Sequence, residues 1–156
     1  MYGIVRQTVA YADTDAGGVM YHGRYIELAE RSRLQWMIGE GYSFDTIAHD
    51  HDTLLVVHKM TATFRTPARL EDELIAHTVL ESVSAARSIW RTDIVRGQDI
   101  VAKVNADVVA VSARRKQISR LPDELLRSLS RKSQQIGARG RTESFSKIHT
   151  TVGERT

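Results

Sequence analysis

The stretch YADTDAGGVMYH, residues 11–22, places two acids, two glycines and a histidine within twelve positions. Gly17 and Gly18 interrupt a regular strand and allow the backbone to approach a ligand closely. The stretch leads into a helical pattern, so its last residues lie at the start of a predicted helix. The first backbone N–H groups of a helix are unpaired, and the positive end of its dipole lies there. A carboxylate there is suited to catalysis, but acidic turns without any chemistry use the same residue types. On the residues alone, both interpretations stay open.

The pattern after this stretch predicts a helix from about Gly23 to Gly39. Five residues recur at the spacing of a single helical face: Tyr25, Leu28, Ala29, Ser32 and Trp36. Such a stripe is buried against a sheet or another helix. A second, short helix is predicted after Ser43, because serine is a favoured N-cap residue.

Strands are predicted on both sides of the helices. Residues 4–12 are predicted to form one strand, which would put Tyr11 and Asp15 on the same face if it extended that far. Four more strand-like segments lie between about residues 53 and 116, and in the first of them the even-numbered residues from Val56 to Phe64 are predicted to share a face. PDELLRSL then predicts a short helix. One long helix and consecutive strands joined by short turns indicate a two-layer α+β domain.

Composition restricts the class of protein. The 156 residues are the size of one domain, and the absence of cysteine excludes disulfides and a thiolate nucleophile and suits the cytoplasm. No apolar run is long enough to span a membrane. Residues 1–126 hold 15 basic and 17 acidic residues, whereas residues 127–156 hold seven and two. We therefore predict a folded domain over residues 1–130, a basic disordered tail over 131–156, and no nucleic-acid ligand.

The segment YADTDAGGVMYHGRY closely resembles the signature of hotdog-fold acyl-CoA thioesterases. The resemblance is to the branch that includes 4-hydroxybenzoyl-CoA thioesterase and the Tol–Pal-associated acyl-CoA thioesterases. It covers roughly residues 5–126, with support from ELAERSR, FRTPARLEDEL and SRLPDEL. It implies a five-stranded antiparallel sheet wrapped around one long helix, and hydrolysis of a CoA thioester without a separate cofactor or metal.

The resemblance also implies roles for individual residues. Asp15 matches the catalytic carboxylate, which attacks the thioester carbonyl carbon or activates the attacking water. The backbone N–H at the helix start, near His22, would polarise the carbonyl oxygen. Tyr11 and His22 match a tyrosine and a histidine of the Tol–Pal-associated branch, and both are predicted catalytic residues. Asp13 is interpreted as a turn residue that holds the loop.

Further residues are predicted to bind substrate. Gly18 and Tyr21 lie in the signature loop, beside the predicted catalytic groups. Arg114, Arg115 and Lys116 follow the last predicted strand, and guanidinium and ammonium groups suit the phosphates of CoA. A basic strand end without any ligand is the alternative interpretation of these three residues.

Some alternatives remain open at this point. Glu30 on the helix could be the acid, although its neighbours indicate a charged flank. The run HDHD, residues 49–52, is interpreted as a solvated turn and not as a metal site, because side chains two apart do not converge. A hotdog hydratase or dehydratase and a non-catalytic acyl-binding module are the competing functions. Acyl-ACP is the second substrate class considered, and a homodimer or homotetramer is expected.

Overall fold

The computed structural model describes residues 3–139, with side chains as far as Gln135. The elements in chain order are β1 (Ile4–Thr8), a 3₁₀ turn (Tyr11–Asp13), α1 (His22–Gly39), α2 (Phe44–His51), β2 (Thr53–Phe64), β3 (Glu73–Val83), β4 (Arg87–Arg96), β5 (Asp99–Ser112) and α3 (Asp123–Arg139). The strands form one antiparallel sheet in the order β1-β3-β4-β5-β2, and α1 packs on it. The predicted hotdog fold is thereby confirmed. Within residues 3–139, no helix is both long and apolar enough to cross a membrane.

The helical stripe predicted from the sequence is the buried face of α1. All five of its residues are buried, and Leu28 is completely inaccessible. The core has two parts along this helix. One lies beneath the first half of α1, and the other surrounds Trp36 and Trp90, whose rings meet edge to face at 5.0 Å. Burying large side chains on both halves holds α1 in place along its length.

A chain of buried hydroxyl groups ties β1, β3 and β4 to the middle of α1. The Ser32 hydroxyl lies within hydrogen-bond distance of the backbone oxygens of Gly3 and Ala76. The Thr78 hydroxyl donates to Ser32 Oγ at 2.8 Å and lies 2.7 Å from the hydroxyl of Thr92. Buried polar groups are tolerated when they are paired in this way.

The first strand is shorter than the sequence predicts. β1 ends at Thr8, because the backbone N–H of Ala10 donates to the Asp13 carboxylate at 2.9 Å and closes a 3₁₀ turn. Tyr11 lies in this turn and is 81% exposed. The prediction of a strand through residue 12 is therefore wrong, and Tyr11 and Asp15 do not share a strand face.

Strand β2 contains a bulge that the predicted alternation misses. Its pairing with β5 shifts between Val57 and Lys59, so the residue between them has no partner. An extra residue reverses the alternation from that point on. Met60 and Phe64 therefore share the helix-facing side with Val57, and not with Val56 as predicted.

The last helix is longer than the predicted short helix. Helix α3 runs over Asp123–Arg139, and its Leu125 and Leu129 are buried in the second part of the core together with Leu121, which precedes the helix. Lys132 forms an ion pair of 2.7 Å with Glu40 at the end of α1. The domain boundary predicted at residue 130 falls inside this helix, so the predicted disorder does not apply to its last residues. The rest of the predicted tail, 140–156, lies outside the described residues.

The partial burial of His77 makes the stability of the fold depend on pH. It is half-buried on β3, and burial lowers its pKa below the usual 6.5, although the charge of Asp93 acts in the opposite direction. The unfolded chain therefore binds a proton more readily, and the free energy of unfolding falls as the pH drops below about 6.5. We expect His77→Gln to reduce this fall in thermal unfolding series between pH 7.5 and 5. If the free energy of unfolding falls equally with pH in the variant and the unchanged protein, His77 is not responsible for the fall.

Candidate active site

An open cavity of about 270 Å³ lies between the signature loop, the start of α1 and the segment after β2. Its lining residues are Asp15, Val19, Met20, His22, Tyr25, Phe64, Arg65, Thr66 and Pro67. The structure thus brings Asp15 and His22 to the same cavity. The other lining groups include several apolar side chains, so the cavity can hold both a reacting polar group and an apolar substituent.

The loop fixes the Asp15 carboxylate through one of its two oxygens. Gly17 N–H donates to Asp15 Oδ1 at 2.8 Å. The backbone turns tightly here, with Gly18 N–H donating to the Asp15 carbonyl at 3.0 Å and Asp15 N–H donating to Val19 at 2.9 Å. Gly18 has a φ of +74°, which is the left-handed region that glycine favours. Within residues 3–139 no donor bonds to Oδ2, so this oxygen is free to act on a substrate or a water molecule.

The start of α1 presents unused backbone donors at the same cavity. His22 is the first residue of the helix, and no side chain of the N-cap residue, Tyr21, accepts from it. The first N–H groups of a helix, here those of His22 and Gly23, have no acceptor within the helix. The Tyr21 ring packs on the His22 ring with centroids 4.3 Å apart. These N–H groups can stabilise negative charge that develops on a carbonyl oxygen.

Asp13 holds the loop in place and is not free to react. Its carboxylate accepts from Ala10 N–H at 2.9 Å and from the Gln7 side chain at 3.1 Å. Arg24 Nε lies 3.6 Å from its other oxygen. Asp13 and Asp15 are therefore distinguished by their contacts, since only Asp15 lines the cavity.

Tyr25 connects the helix to the opposite wall of the cavity. The backbone N–H of Ala68 donates to the Tyr25 hydroxyl at 2.9 Å, and the carbonyl of Ala68 accepts from Met20 N–H at 2.8 Å. Ala68 is completely buried, and the Tyr25 and Phe64 rings meet edge to face at 5.4 Å. The signature loop, α1 and the segment after β2 are therefore joined at one point.

An ion pair reinforces the same wall from the outside. Arg96 donates to Asp72 at 2.6 Å and to the carbonyl of Pro67 at 3.3 Å. The pKa of Asp72 lies below its usual value, mainly because the backbone N–H of Arg69 donates to it, with Arg96 as the next cause. These bonds fix the loop that carries Thr66 and Pro67.

Sequence reasoning missed the residues of this wall. Tyr25 was predicted as a core residue, and no functional role was predicted for Phe64 or Arg65. The motif FRTPARLEDEL marked the segment as part of the family pattern, but nothing in its spacing showed that it lines the same cavity as Asp15. The cavity brings together residues about fifty positions apart and exists only in the folded chain.

The predicted CoA-binding cluster lies away from the cavity of its own chain. Phe64, at the cavity, pairs with Ala102 near the start of β5, whereas Arg114, Arg115 and Lys116 follow the end of β5. Ten residues of extended strand separate Ala102 from the end of β5 and span about 34 Å. One chain by itself therefore does not bring these three basic residues to Asp15.

The basic cluster is held in a defined turn. Asp52 accepts from the Ser112 hydroxyl at 2.6 Å and from the backbone N–H of Arg114 at 2.9 Å. The Ser112 bond is the largest cause of the lowered pKa of Asp52. Arg115 N–H donates to Ser112 Oγ at 3.0 Å. The turn is fixed by its backbone, which leaves the basic side chains exposed.

Three other candidates also lie outside the cavity. Tyr11 is an exposed turn residue, and Glu30 lines a different groove on α1. Three residues of the HDHD run, residues 49–51, are exposed at the end of α2. Between residues 3 and 139 no three His, Asp or Glu side chains are grouped closely enough to hold a metal ion.

A second groove, of about 680 Å³, runs between α1 and β2. Its lining residues are Glu27, Glu30, Arg31, Arg33, Leu34, Phe44, Leu55, Val56 and Val57. Among the strands of residues 3–139, β2 lies at the edge and pairs only with β5, and Leu34, Val56 and Val57 are exposed. An unpaired strand edge beside exposed apolar side chains is a surface that proteins normally cover.

Comparison with known proteins identifies the family. The model of the thioesterase-like superfamily matches residues 9–129, which include every residue that lines the cavity. The chain belongs to the thioesterase-like superfamily. The acyl-CoA thioester hydrolase YbgC of Escherichia coli O6:H1 is 33% identical to it over 103 residues, which are 66% of this chain and 75% of that protein.

Solved structures agree with this assignment. A probable thioesterase from Bartonella henselae superposes with a TM-score of 0.71 at 26% identity, covering 78% of this chain and 100% of that one. The DHNA-CoA thioesterase from Staphylococcus aureus superposes with a TM-score of 0.78 at 20% identity, covering 89% and 95%. The second likeness supports the fold alone.

Proposed function

We propose that this chain hydrolyses acyl-CoA thioesters to a free acid and CoA. The observation that carries the proposal is the cavity itself. It holds a carboxylate with one oxygen fixed by Gly17 and the other free, beside the uncapped start of α1. The name of the Escherichia coli relative, an acyl-CoA thioester hydrolase, supports the same reaction. Acyl-ACP stays the alternative substrate, and a cytoplasmic location stays a prediction.

Each group has a role in this reaction. Asp15 attacks the carbonyl carbon, or removes a proton from the water that attacks it. The N–H groups at His22 bind the resulting oxyanion, and the C–S bond breaks as CoA leaves as a thiolate. When water attacks, the free acid forms directly and the thiolate takes up the proton that Asp15 removed. When Asp15 itself attacks, a mixed anhydride forms on its carboxylate, and water then hydrolyses this anhydride, which releases the free acid, restores the carboxylate and supplies the proton for the thiolate. The His22 side chain, packed on Tyr21, orients water or substrate. Gly18, without a side chain, lets the substrate approach the loop.

Product analysis tests the reaction class. Short-chain, long-chain, aromatic and 2-enoyl-CoAs would be incubated with the protein and the products identified by mass spectrometry. Thioester hydrolysis predicts acid and CoA in equal amounts from at least one of these substrates. A product that keeps the thioester and has gained water only from the enoyl-CoA would identify a hydratase. Recovery of every substrate unchanged would oppose an enzymatic function.

We further propose that two chains pair along β2. The exposed strand edge and the adjacent groove on α1 would then be covered by the second copy. Antiparallel pairing about a two-fold axis places each end of β2 beside the opposite end of the partner's β2. Arg114, Arg115 and Lys116 of one chain would thereby lie near Phe64 and the cavity of the other. This arrangement would reconcile the predicted CoA contacts with their distance from Asp15 within one chain.

A charge placed on the exposed edge should separate the chains. Val57→Lys puts an ammonium group where the second copy would pack. We therefore expect the variant to have the molecular mass of a monomer, whereas the unchanged protein has the mass of a dimer or tetramer. Gln98→Lys, in the exposed turn between β4 and β5, adds the same charge elsewhere and should leave the mass unchanged. Light scattering at micromolar concentration measures both. A monomeric unchanged protein would refute the pairing.

A further inference from the structure

The imidazole of His22 is exposed at the cavity, and within residues 3–139 no hydrogen bond or ion pair fixes its ring. Its contacts are with aromatic side chains. The centroid of the imidazole lies 4.3 Å from that of the Tyr21 ring, at an interplanar angle of 48°, and 6.4 Å from that of the Phe64 ring. Aromatic rings attract one another at about these distances. The orientation of the imidazole therefore depends mainly on Tyr21, whose ring is the closer of the two.

The Tyr21 ring lies against the backbone of Gly23, the second residue of α1. The side chain of Tyr21 is 46% exposed, so burial alone does not hold it. A Cβ atom at Gly23 would lie 2.6 Å from Cε1 of this ring and 3.2 Å from Cδ1, and Cβ contacts below 3.0 Å essentially do not occur. The ring can therefore take this position only because residue 23 has no side chain.

Backbone conformation does not explain the glycine at this position. Gly23 is helical and is not among the glycines with a positive φ in the described residues. Alanine is the better helix former, and a glycine within a helix costs stability. A glycine that the backbone does not require usually has a packing or functional reason. Here the packing partner is Tyr21, because the three atoms nearest to the Cβ position all belong to its ring.

We infer that Tyr21 is a positioning residue that orients the His22 imidazole at the cavity, and that Gly23 provides the space its ring needs. The inference rests on the proposed thioesterase function, in which His22 orients water or substrate. It differs from the predicted role of Tyr21 in binding substrate, because Tyr21 is not among the residues that line the cavity. The ring and not the hydroxyl has this role, since ring carbons make the close approach to Gly23.

Gly23→Ala tests the role of the glycine directly. The new methyl group displaces the exposed Tyr21 ring, while the backbone of Tyr21 stays bonded to Asp13 and Arg24. We expect kcat to fall about 3- to 10-fold, as for loss of one aromatic contact, with little change in KM or in the unfolding temperature. Apart from the ring, the atoms around the Cβ position lie 3.4 Å away or more, so Gly23→Ala should cost no further activity in a Tyr21→Ala protein.

A His22→Ala protein shows whether Tyr21 acts through the imidazole. Tyr21→Ala should lower kcat by a factor similar to that of Gly23→Ala, and Tyr21→Phe, which keeps the ring, should retain most of it. In the His22→Ala protein, removal of the Tyr21 ring should not lower kcat further.

The NMR signals of the His22 ring protons give a readout that needs no activity, because a neighbouring aromatic ring shifts them. They are assigned by their absence in His22→Ala. The shift should be lost in Gly23→Ala and Tyr21→Ala and kept in Tyr21→Phe.

Other outcomes would contradict the positioning role. If Tyr21→Ala lowers kcat equally with and without His22, Tyr21 contacts the substrate itself and the inference is overturned. Full activity or an unchanged His22 signal in Gly23→Ala would overturn it as well, while thioester hydrolysis by the unchanged protein stands. If no acyl-CoA is hydrolysed, the proposed function fails, and the NMR shift alone decides whether Tyr21 and Gly23 position the His22 ring.

Discussion

Asp15→Asn should lower kcat by about 10²- to 10⁴-fold, as expected for loss of a catalytic proton acceptor or nucleophile. Asparagine has nearly the same shape, and its carbonyl oxygen can still accept from Gly17 N–H, which now bonds Oδ1 at 2.8 Å. The turn should therefore persist, and the unfolding temperature should stay within a few degrees. Thiol release at saturating acyl-CoA and thermal unfolding measure the two effects separately.

Asp13→Asn is the matched control for this variant. It makes the same chemical change two residues away, in a carboxylate that is occupied by Ala10 N–H, Gln7 and Arg24. We expect some loss of stability, because Arg24 loses a charged neighbour, but a much smaller loss of kcat than in Asp15→Asn. Full activity in a folded Asp15→Asn protein would show that the loop is an acidic turn without a catalytic role. An equal loss of kcat in both variants would mean that the loop matters only as a structure.

Replacing Arg114, Arg115 and Lys116 together by alanine should raise KM for acyl-CoA by about 10- to 100-fold. A hydrogen bond between charged groups contributes roughly 1.5–3 kcal/mol, so loss of one or two phosphate contacts gives an effect of this size. The value of kcat should change little, because these residues are proposed to contact the phosphates of CoA and not the thioester. The backbone bonds of the turn to Asp52 and Ser112 remain available in the variant.

A truncated substrate controls for indirect effects of this triple change. The S-acyl derivative of N-acetylcysteamine keeps the thioester but has no phosphates, so its kinetics should be the same in the variant and the unchanged protein. An unchanged KM for acyl-CoA would show that the cluster is a basic strand end without a ligand. Equal loss with both substrates would indicate a distorted dimer or fold instead of missing phosphate contacts.

Periodicity in the sequence predicted the regular elements well. The stripe from Tyr25 to Trp36 is the buried face of α1, and the Ser43 side chain accepts from Thr46 N–H at 3.3 Å as the N-cap of α2. These features depend on residues close together in the sequence, so a local sequence pattern is enough to predict them. The residues themselves singled out Asp15 and His22, and the family resemblance then indicated the topology and implied catalytic roles for both.

The features that were missed depend on single contacts or on distant parts of the chain. β1 ends early because of the Asp13 carboxylate, and the alternation in β2 is reversed by one unpaired residue after Val57. Helix α3 adds Leu125 and Leu129 to the core around Trp36 and Trp90, and past residue 130 its Lys132 pairs with Glu40 at 2.7 Å. The Ala68 bond to Tyr25 joins positions 43 residues apart. No local pattern contains information on a contact between such distant positions.

Steady-state thiol release by the unchanged protein is the most direct test of thioester hydrolysis. The substrates would be the acyl-CoA panel, with butanoyl, palmitoyl, benzoyl and hydroxylated members, and light scattering and thermal unfolding would establish that the sample is folded and assembled. The proposed mechanism predicts kcat/KM on the order of 10⁴ M⁻¹s⁻¹ or more for at least one substrate. A folded, assembled protein that releases no thiol above the protein-free blank from any of them would contradict it.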